Sequence, residues 1–278
     1  MKRHLRLLVV LLAFVLALAA CGSDKDTSSA SGEKGEGLRT LTPGKFTVGT
    51  GQPAYSPWVE DDKPESGKGY EAAVAYAVAD KLGFAKSDVV WVRTPFDTVI
   101  APGPKDFDVN IQQFSITAAR EKAVDFSSPY YVTAPAFVSL EGNKGADAAS
   151  VADLKDVTIG AAVGTTTLSA VEDAVGGKVQ PYNSNEDAVQ ALRTKAIDVL
   201  AVDLPTALYL ANAELKNGVL VGQLDSDEGG DEFGMLLAKD SPLTAAVTKA
   251  VDALREDGTL DKLAQQWLTD TAGAPVLK

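Results

Sequence analysis

Stretches of apolar residues with two different periods predict a mixed α/β fold. Residues 46–50, 89–92, 157–163 and 197–202 are short apolar or alternating runs, the pattern of β-strands, and 89–92 is expected to be a buried strand. Residues 70–82 instead carry alanine and valine at helical spacing and are followed by a glycine, which predicts a helix packed on a sheet.

Helix signals recur in the second half of the chain. Residues 164–175 open with Gly-Thr-Thr-Thr after a predicted strand, and residues 183–193 have Ser184 as a capping residue. Ser241 followed by proline predicts a helix that begins there and runs to residue 257. A last amphipathic helix is expected over residues 260–268.

The central stretch, residues 110–131, reads NIQQFSITAAREKAVDFSSPYY. A period of two over residues 108–113 predicts a strand, which ends at Ser115. Thr117 then has the character of a helix start. The stretch thus predicts a strand, a polar turn and a short helix.

Arg120 falls in the first turn of that predicted helix, where the helix dipole disfavours a cation. An anionic group is therefore expected near it. The alternative is a surface ion pair with Glu121 or Asp125, which is common for arginines and contributes little.

The N-terminal residues 1–20 have the pattern of a signal peptide. Lys2, Arg3 and Arg6 precede an apolar run over residues 7–20, which is shorter than the ~20 residues that a transmembrane helix needs. Leu-Ala-Ala-Cys at its end resembles a bacterial lipobox and predicts lipidation of Cys21, with a buried structural cysteine as the alternative. Residues 21–40 are mostly small and polar and are expected to be a lipidated, flexible tether.

Charge and composition exclude several classes of function. The chain has a formal net charge of −12, which argues against nucleic-acid binding, and the loss of the basic leader would make it more acidic. His4 is the only histidine and Cys21 the only cysteine. A mature chain that starts at Cys21 therefore has no Ser-His-Asp or Cys-His site, histidine-ligated zinc or disulfide, and no cofactor or metal is expected.

The pattern S-I-T-x-x-R-x-x-x-V-D-F-S-x-P-Y-Y over residues 115–131 resembles the extracytoplasmic solute-binding proteins of amino-acid ABC importers, the polar amino-acid class. The resemblance implies an α/β fold of two lobes, periplasmic-binding-protein-like of type II, with a ligand cleft between lobes joined by two extended crossovers. It also implies that Arg120 clamps the α-carboxylate of the ligand with parallel hydrogen bonds, for which a planar guanidinium is well suited. The Ser115 hydroxyl would help to hold the ligand head group.

Further residues of the ligand site follow from the resemblance. The turn of Gly164, Thr165 and Thr166 would donate backbone N–H groups to the ligand carboxylate, as a helix N-terminus suits an anion. Asp203 would accept hydrogen bonds from the ligand ammonium. Asp203 also precedes Pro205, so a helix N-cap is an alternative that is compatible with the ligand role.

The cleft walls are expected to be aromatic and amide-bearing. Tyr55, Trp58 and Phe96 match positions that line the family's pocket. The alternative for Trp58 is an aromatic staple that closes the loop, and the alternative for Phe96 is a core position. Gln112 and Gln113 stand where the family more often has small residues, which predicts a smaller or more hydrogen-bonded pocket.

Two positions depart from the family pattern. Gly51 stands where many amino-acid binders have an acidic residue after the first strand, and Ala73 replaces a second acid further on. Neither departure alters the expected fold, and both lie at positions that bear on the ligand side chain.

The sequence predicts residues 41–133 and 232–278 as the first lobe and residues 134–231 as the second, with crossovers near 133–136 and 225–231. The expected function is capture of a free amino acid outside the membrane by a lipid-anchored monomer and its delivery to an ABC permease. The alternatives are a periplasmic enzyme similar to cyclohexadienyl dehydratases, with Glu71 or Asp203 as the acid, and a ligand-sensing module for a receptor.

Overall fold

A computed structural model describes residues 37–176, 179–225, 230–271 and 273–278. The predicted signal peptide, Cys21, the tether up to residue 36 and most of the second predicted crossover lie outside the described residues. In the part of the chain that is described, every helix is too short or too polar to cross a membrane.

Strands and helices alternate through the described residues. The strands are β1 (Phe46–Gly51), β2 (Val89–Thr94), β3 (Val109–Asn110), β4 (Val124–Thr133), β5 (Pro135–Leu140), β6 (Ile159–Ala162), β7 (Val179–Tyr182), β8 (Val199–Asp203), β9 (Gly218–Leu224), β10 (Asp231–Ala238) and β11 (Val276–Leu277). The helices are α1 (Tyr70–Lys81), α2 (Phe96–Val99), α3 (Thr166–Val175), α4 (Asn185–Arg193), α5 (Leu204–Tyr209), α6 (Thr244–Glu256) and α7 (Thr259–Trp267).

These strands form two sheets, with the orders β2-β1-β3-β10-β4 and β11-β9-β5-β8-β6-β7. In the first sheet β1 is parallel to β2 and β3, whereas β10 is antiparallel to β3 and β4. In the second sheet β6 is parallel to β7 and β8, and β5 is antiparallel to β8 and β9. The chain leaves the first sheet between β4 and β5 and re-enters it at β10.

The end of the chain differs from the predicted boundaries, which place residues 232–278 in the first lobe. Val276–Leu277 pairs with β9 of the second sheet, at Gln223 and Leu224. Leu277 is also buried in the core of that sheet, and this apolar contact keeps the last residues there.

Each sheet has its own hydrophobic core, as a fold of two lobes requires. Side chains of β1 and β10 pack with α1, α6 and α7 on one face of the first sheet, and a smaller cluster around Phe114 covers the other face. In the second sheet successive residues point to opposite faces, so Ala136 and Leu200 pack with α4 and α5, whereas Phe137 and Ala201 pack with α3.

Several local predictions are wrong in detail. The strand at β2 lies at the edge of its sheet, and its Val90 is 42% exposed rather than buried. Of residues 108–113 only Val109–Asn110 is a strand, and the predicted helix at Thr117 is a single turn over Arg120–Lys122. Helix α6 begins at Thr244 with Leu243 as its N-cap, later than predicted, although the Ser241 hydroxyl accepts a hydrogen bond from the N–H of Leu243 at 3.3 Å.

Other predictions are confirmed. Helix α4 starts after Ser184, whose hydroxyl accepts a hydrogen bond from the N–H of Asp187 at 3.1 Å. Helix α3 starts after Thr165, whose hydroxyl accepts from the N–H of Leu168 at 3.1 Å. These capping signals depend on residues within one turn, and the sequence alone therefore contains them.

Candidate functional site

A cleft lies at the carboxyl ends of strands from both sheets. Gly51 and Thr94 end β1 and β2 on one side, and Ala162 and Asp203 end β6 and β8 on the other. Ligands of open α/β sheets bind at such strand ends. Of the predicted site residues, the following line the cleft: Tyr55, Trp58, Phe96, Gln113, Ser115, Arg120, Thr165, Thr166 and Asp203.

Gly164 is the predicted site residue that does not line the cleft, although it contacts the site through its backbone. Its φ of +75° is in the region that favours glycine, and its carbonyl oxygen accepts a hydrogen bond from Arg120 Nη2 at 2.9 Å. The Gly164 carbonyl is thus an acceptor for the guanidinium, and the N–H donors predicted for this turn are separate groups that remain a prediction.

Arg120 reaches the cleft from the helical turn that follows the first-sheet residue Ser115. Its Nη1 donates to the carbonyl of Ser115 at 2.7 Å, and its guanidinium carbon lies 5.7 Å from the centre of the Phe96 ring. Burial lowers the pKa of Arg120, which the nearby Asp231 opposes. Its predicted alternative partner Asp125 instead pairs with Lys239, and none of the ion pairs among the described residues includes Arg120.

A hydrogen-bonded chain of three side chains crosses the cleft beside Arg120. The hydroxyls of Ser115 and Thr166 are 2.9 Å apart, and Thr166 Oγ1 is 2.8 Å from Asp231 Oδ2. A carboxylate only accepts, so Thr166 donates to Asp231 and accepts from Ser115. The sequence predicts Asp231 only as part of a crossover, because no neighbouring residue indicates its contact with Thr166.

Asp203 is 8% exposed at the end of β8 and caps α5. Its Oδ1 accepts from the N–H of Thr206 at 3.0 Å, and its Oδ2 accepts from the Thr206 hydroxyl at 2.8 Å. Burial raises its pKa to about 6, and the hydrogen bonds from Thr206 oppose that shift. The N-cap interpretation is therefore confirmed, and no ion pair among the described residues supplies Asp203 with a cation.

Trp58 contacts both sides of the cleft. Its ring is 1% exposed and packs edge-on against Tyr70, Tyr131 and Phe233 of the first lobe. Its indole N–H donates to the Thr206 hydroxyl of α5 at 2.8 Å. This geometry is that of an aromatic staple, while the side chain also lines the cleft.

Two other aromatic walls are held by neighbours. The Tyr55 hydroxyl oxygen accepts a hydrogen bond from the N–H of Glu186, at the start of α4, at 3.3 Å. Phe96 stacks on Phe114 with 4.7 Å between ring centres. Tyr55 therefore joins a first-lobe loop to the second lobe, and Phe96 is fixed against the smaller first-lobe cluster.

Gln113 is held in the cleft by a fully buried carboxylate, Glu71 of α1. Glu71 Oε1 accepts from the N–H of Gln113 at 2.7 Å, and Glu71 also binds the Gln113 amide and the Tyr130 hydroxyl. Gln113 has a φ of 50°, which a non-glycine residue adopts only when its surroundings hold it. Burial raises the pKa of Glu71 to about 7, and its hydrogen bonds oppose the shift.

Like the contact between Asp231 and Thr166, the contact between Glu71 and Gln113 is not predicted by the sequence. The only local signal is an acidic residue among the apolar residues at the start of α1. Its partner is distant in the sequence, and an acid in that place is unusual only once burial is known.

Comparisons with known proteins agree with this architecture. The probable histidine-binding protein of Campylobacter jejuni is 30% identical over 275 residues, which cover 96% of this chain and 99% of that protein. The arginine-binding extracellular protein ArtP of Bacillus subtilis is 28% identical and covers 97% of this chain and 99% of its own.

Solved structures of amino-acid-binding proteins are also similar to this chain. An ancestral arginine-binding protein bound to glutamine has a TM-score of 0.68 and 30% identity, and the alignment covers 81% of this chain and 98% of that one. An ancestral amino-acid-binding protein described as a precursor of cyclohexadienyl dehydratase has a TM-score of 0.67 and 29% identity, with 81% and 96% covered. The predicted fold class is confirmed. Residues 46–270 match the bacterial extracellular solute-binding proteins, family 3, and the chain belongs to that family.

Proposed function

We propose that this protein binds a free amino acid in the cleft and delivers it to an ABC permease. The names of the relatives support the first part, because those proteins are named for binding histidine, arginine, cystine, glutamine or glutamate. One observation carries the proposal. Arg120 and Asp203 bring opposite charges to one cleft, and neither has an ion-pair partner among the described residues.

Arg120 would bind the ligand carboxylate. A guanidinium has five N–H donors, and Arg120 directs one to Ser115 and one to Gly164. The remaining donors are available to a carboxylate, with the backbone N–H groups of Thr165 and Thr166 on the facing lobe as further contacts.

Asp203 would bind the ligand ammonium. A buried carboxylate is costly unless a cation or further hydrogen bonds compensate it, and Thr206 supplies only part of that compensation. A ligand ammonium provides the missing charge together with donors. Tyr55, Trp58, Phe96 and Gln113 would then enclose the rest of the ligand.

A ligand screen tests this function. Protein that starts after Cys21 would be heated with each common amino acid, and binding would be confirmed by titration calorimetry. A true ligand at a hundredfold excess over its dissociation constant adds about 2.7 kcal/mol to the free energy of unfolding. If no amino acid raises the melting temperature and none gives heat of binding, the proposed function is wrong.

We also propose that the two sheets mark two lobes with boundaries near residues 133–135 and 230–231, that the protein is a monomer and that Cys21 carries a lipid anchor.

A binding role is favoured over an enzymatic one, because the complementary charges of the cleft account for ligand binding without any chemical reaction. For the dehydratase alternative, Glu71 is poorly placed, because it lies outside the cleft lining with its oxygens bound to Gln113 and Tyr130. An assay for phenylpyruvate or phenylalanine released from prephenate or arogenate separates the two roles.

A further inference from the structure

The charged side chains that line the cleft limit which amino acid can occupy it. Among the described lining residues they are Arg120, Asp203 and Asp97. If the proposed function holds, Arg120 and Asp203 are occupied by the ligand's own carboxylate and ammonium. Asp97 is exposed at the start of α2, where water screens its charge. A charged ligand side chain inside the cleft would therefore have no buried partner of opposite sign among the described lining residues.

Two other carboxylates lie close to the site but are already occupied. Glu71 accepts hydrogen bonds from Gln113 and Tyr130. Asp231 accepts from Thr166. Neither belongs to the cleft lining, so neither adds a counter-charge for a cationic side chain.

The cleft wall around Gly51 carries neutral amide and hydroxyl groups instead of charged side chains. Gln112 lies beside Gly51, where an added Cβ would stand 2.9 Å from the carbonyl oxygen of Pro53 and 3.0 Å from Gln112 Nε2. Position 51 therefore has no room for an acidic side chain unless its neighbours move. The Gln112 amide occupies this part of the cleft instead.

A short chain of polar groups lies beside the Gln112 amide. Thr94 Oγ1 lies 3.4 Å from Gln112 Oε1 and 3.2 Å from the carbonyl oxygen of Thr50, and it accepts from Asn110 Nδ2 at 2.8 Å. Asn183 and Asn185 add amides from the opposite side of the cleft. An amide offers both donors and acceptors, so an apolar ligand side chain would leave these groups without partners.

We infer that the ligand's side chain is uncharged and both donates and accepts hydrogen bonds, as a carboxamide does. A carboxamide matches the amide and hydroxyl groups that surround it without needing a counter-ion. A guanidinium or ammonium would be desolvated without an anion, and a second carboxylate would lie in a cleft where Arg120, the single cation among the described lining residues, already binds the α-carboxylate.

Titration calorimetry with L-glutamine, L-arginine, L-lysine, L-glutamate and L-leucine tests this inference. L-glutamine is expected to bind tightest, with the charged amino acids about a hundredfold weaker. Tighter binding of a charged amino acid or of L-leucine would overturn the inference and leave the proposed function intact. If none of the five, and no other amino acid, binds, the proposed function fails and the inference with it.

Gln112→Glu places a charge at the position that the inference assigns to the ligand side chain. The variant is expected to shift preference from L-glutamine toward L-lysine or L-arginine by about tenfold or more. The matched control is Gln266→Glu, which makes the same change on the exposed face of α7 and should leave the preference unchanged. An unchanged preference in Gln112→Glu would show that the amide does not face the ligand side chain.

Discussion

At the scale of single residues, the site depends on a buried charge, Asp203, and a partly buried one, Arg120, which are in place before any ligand arrives. Asp203 and Arg120 are both held by hydrogen bonds to neutral groups, which fix their geometry without cancelling their charge. Burial shifts the pKa of each group toward its neutral form, the direction expected when a charge is removed from water. A ligand with complementary charges offsets the free energy lost when each of these two charges is removed from water.

Conservative substitutions separate charge from shape at these two residues. Arg120→Lys keeps the charge but loses the paired donors, and Asp203→Asn keeps a good N-cap for α5 but loses the charge. Each variant should lose about 2 to 5 kcal/mol of binding free energy, measured by calorimetry, with little loss of folding stability for Asp203→Asn. The control Arg193→Lys changes a surface pair with Glu214 and should bind like the parent. Near-parental affinity in both site variants would contradict the proposed clamp.

Ligand affinity should fall as the pH drops through about 6, the pKa of Asp203 in the ligand-free protein. An ammonium binds the ionised carboxylate, so below this pKa a proton must leave before the ligand binds. Affinity should therefore decrease about tenfold for each pH unit below the pKa. Calorimetry in buffers of different ionisation enthalpy measures the proton released at about pH 5. Asp203→Asn should remove this proton release if the assignment is correct.

At the scale of elements, the cleft is formed by the ends of strands and by the turns that follow them. Contacts from other helices and strands hold these turns in place. Helix α1 holds the turn at Gln113 through Glu71, and β10 holds the start of α3 through the contact of Asp231 with Thr166. Capping of α3, α4 and α5 is local, as the sequence patterns indicate. The turns between them depend on partners that are distant in the chain.

Glu71 should make the folded protein less stable as the pH rises. Its pKa is raised from 4.5 to about 7 in the folded protein. Between these values the folded chain keeps a proton that the unfolded chain has lost, so the free energy of unfolding falls with rising pH, by up to roughly 3 kcal/mol.

Glu71→Gln removes this titration and should flatten the dependence of stability on pH between about 4.5 and 7, as measured by urea unfolding at several pH values. The control Glu172→Gln alters an exposed residue of α3 and should keep the parental slope. An unchanged slope in Glu71→Gln would mean that other groups, Asp203 among them, account for it.

At the scale of the whole molecule, several hydrogen bonds join the two sides of the cleft. They connect Arg120 with Gly164, Ser115 with Thr166, Trp58 with Thr206 and Tyr55 with Glu186. All of them must break for the cleft to open. A ligand that contacts both lobes binds the closed form better, and that difference in affinity shifts the equilibrium toward closure.

Ligand binding should therefore reduce the radius of gyration in small-angle scattering and change the fluorescence of Trp58. In an open form the indole loses its bond to Thr206 and meets water, so ligand should shift its emission to the blue. Trp91 contacts Tyr76 and Trp267 packs on the first-lobe core, and both should respond little. A Trp58→Phe variant identifies the signal. If a bound amino acid changes neither the scattering nor the fluorescence, the cleft is preformed.

Cys21→Ser should release the protein from the cell membrane. A lipid anchor holds a protein stably, whereas an apolar run as short as residues 7–20 holds it poorly. The parent should incorporate labelled palmitate and fractionate with membranes, and the variant should do neither. The same fractionation in both proteins, without palmitate in the parent, would contradict the lipoprotein prediction.

The sequence by itself determined the features that depend on neighbouring residues. Periods of apolar residues located most strands and helices, and Ser184 identified the start of the helix that it caps. The motif around Arg120 identified the family and, with it, the fold. Such signals are readable because a cap or an amphipathic face involves residues within a few positions of one another.

Only the tertiary structure decided contacts between distant parts of the chain. It placed Val276–Leu277 in the second sheet, brought Asp231 to Thr166, put Glu71 beneath Gln113 and gave the guanidinium of Arg120 a carbonyl from Gly164. In each case the residue type is compatible with many contact partners. Packing of the two cores selects one of them, because a buried polar group is stable only beside the partner that satisfies it.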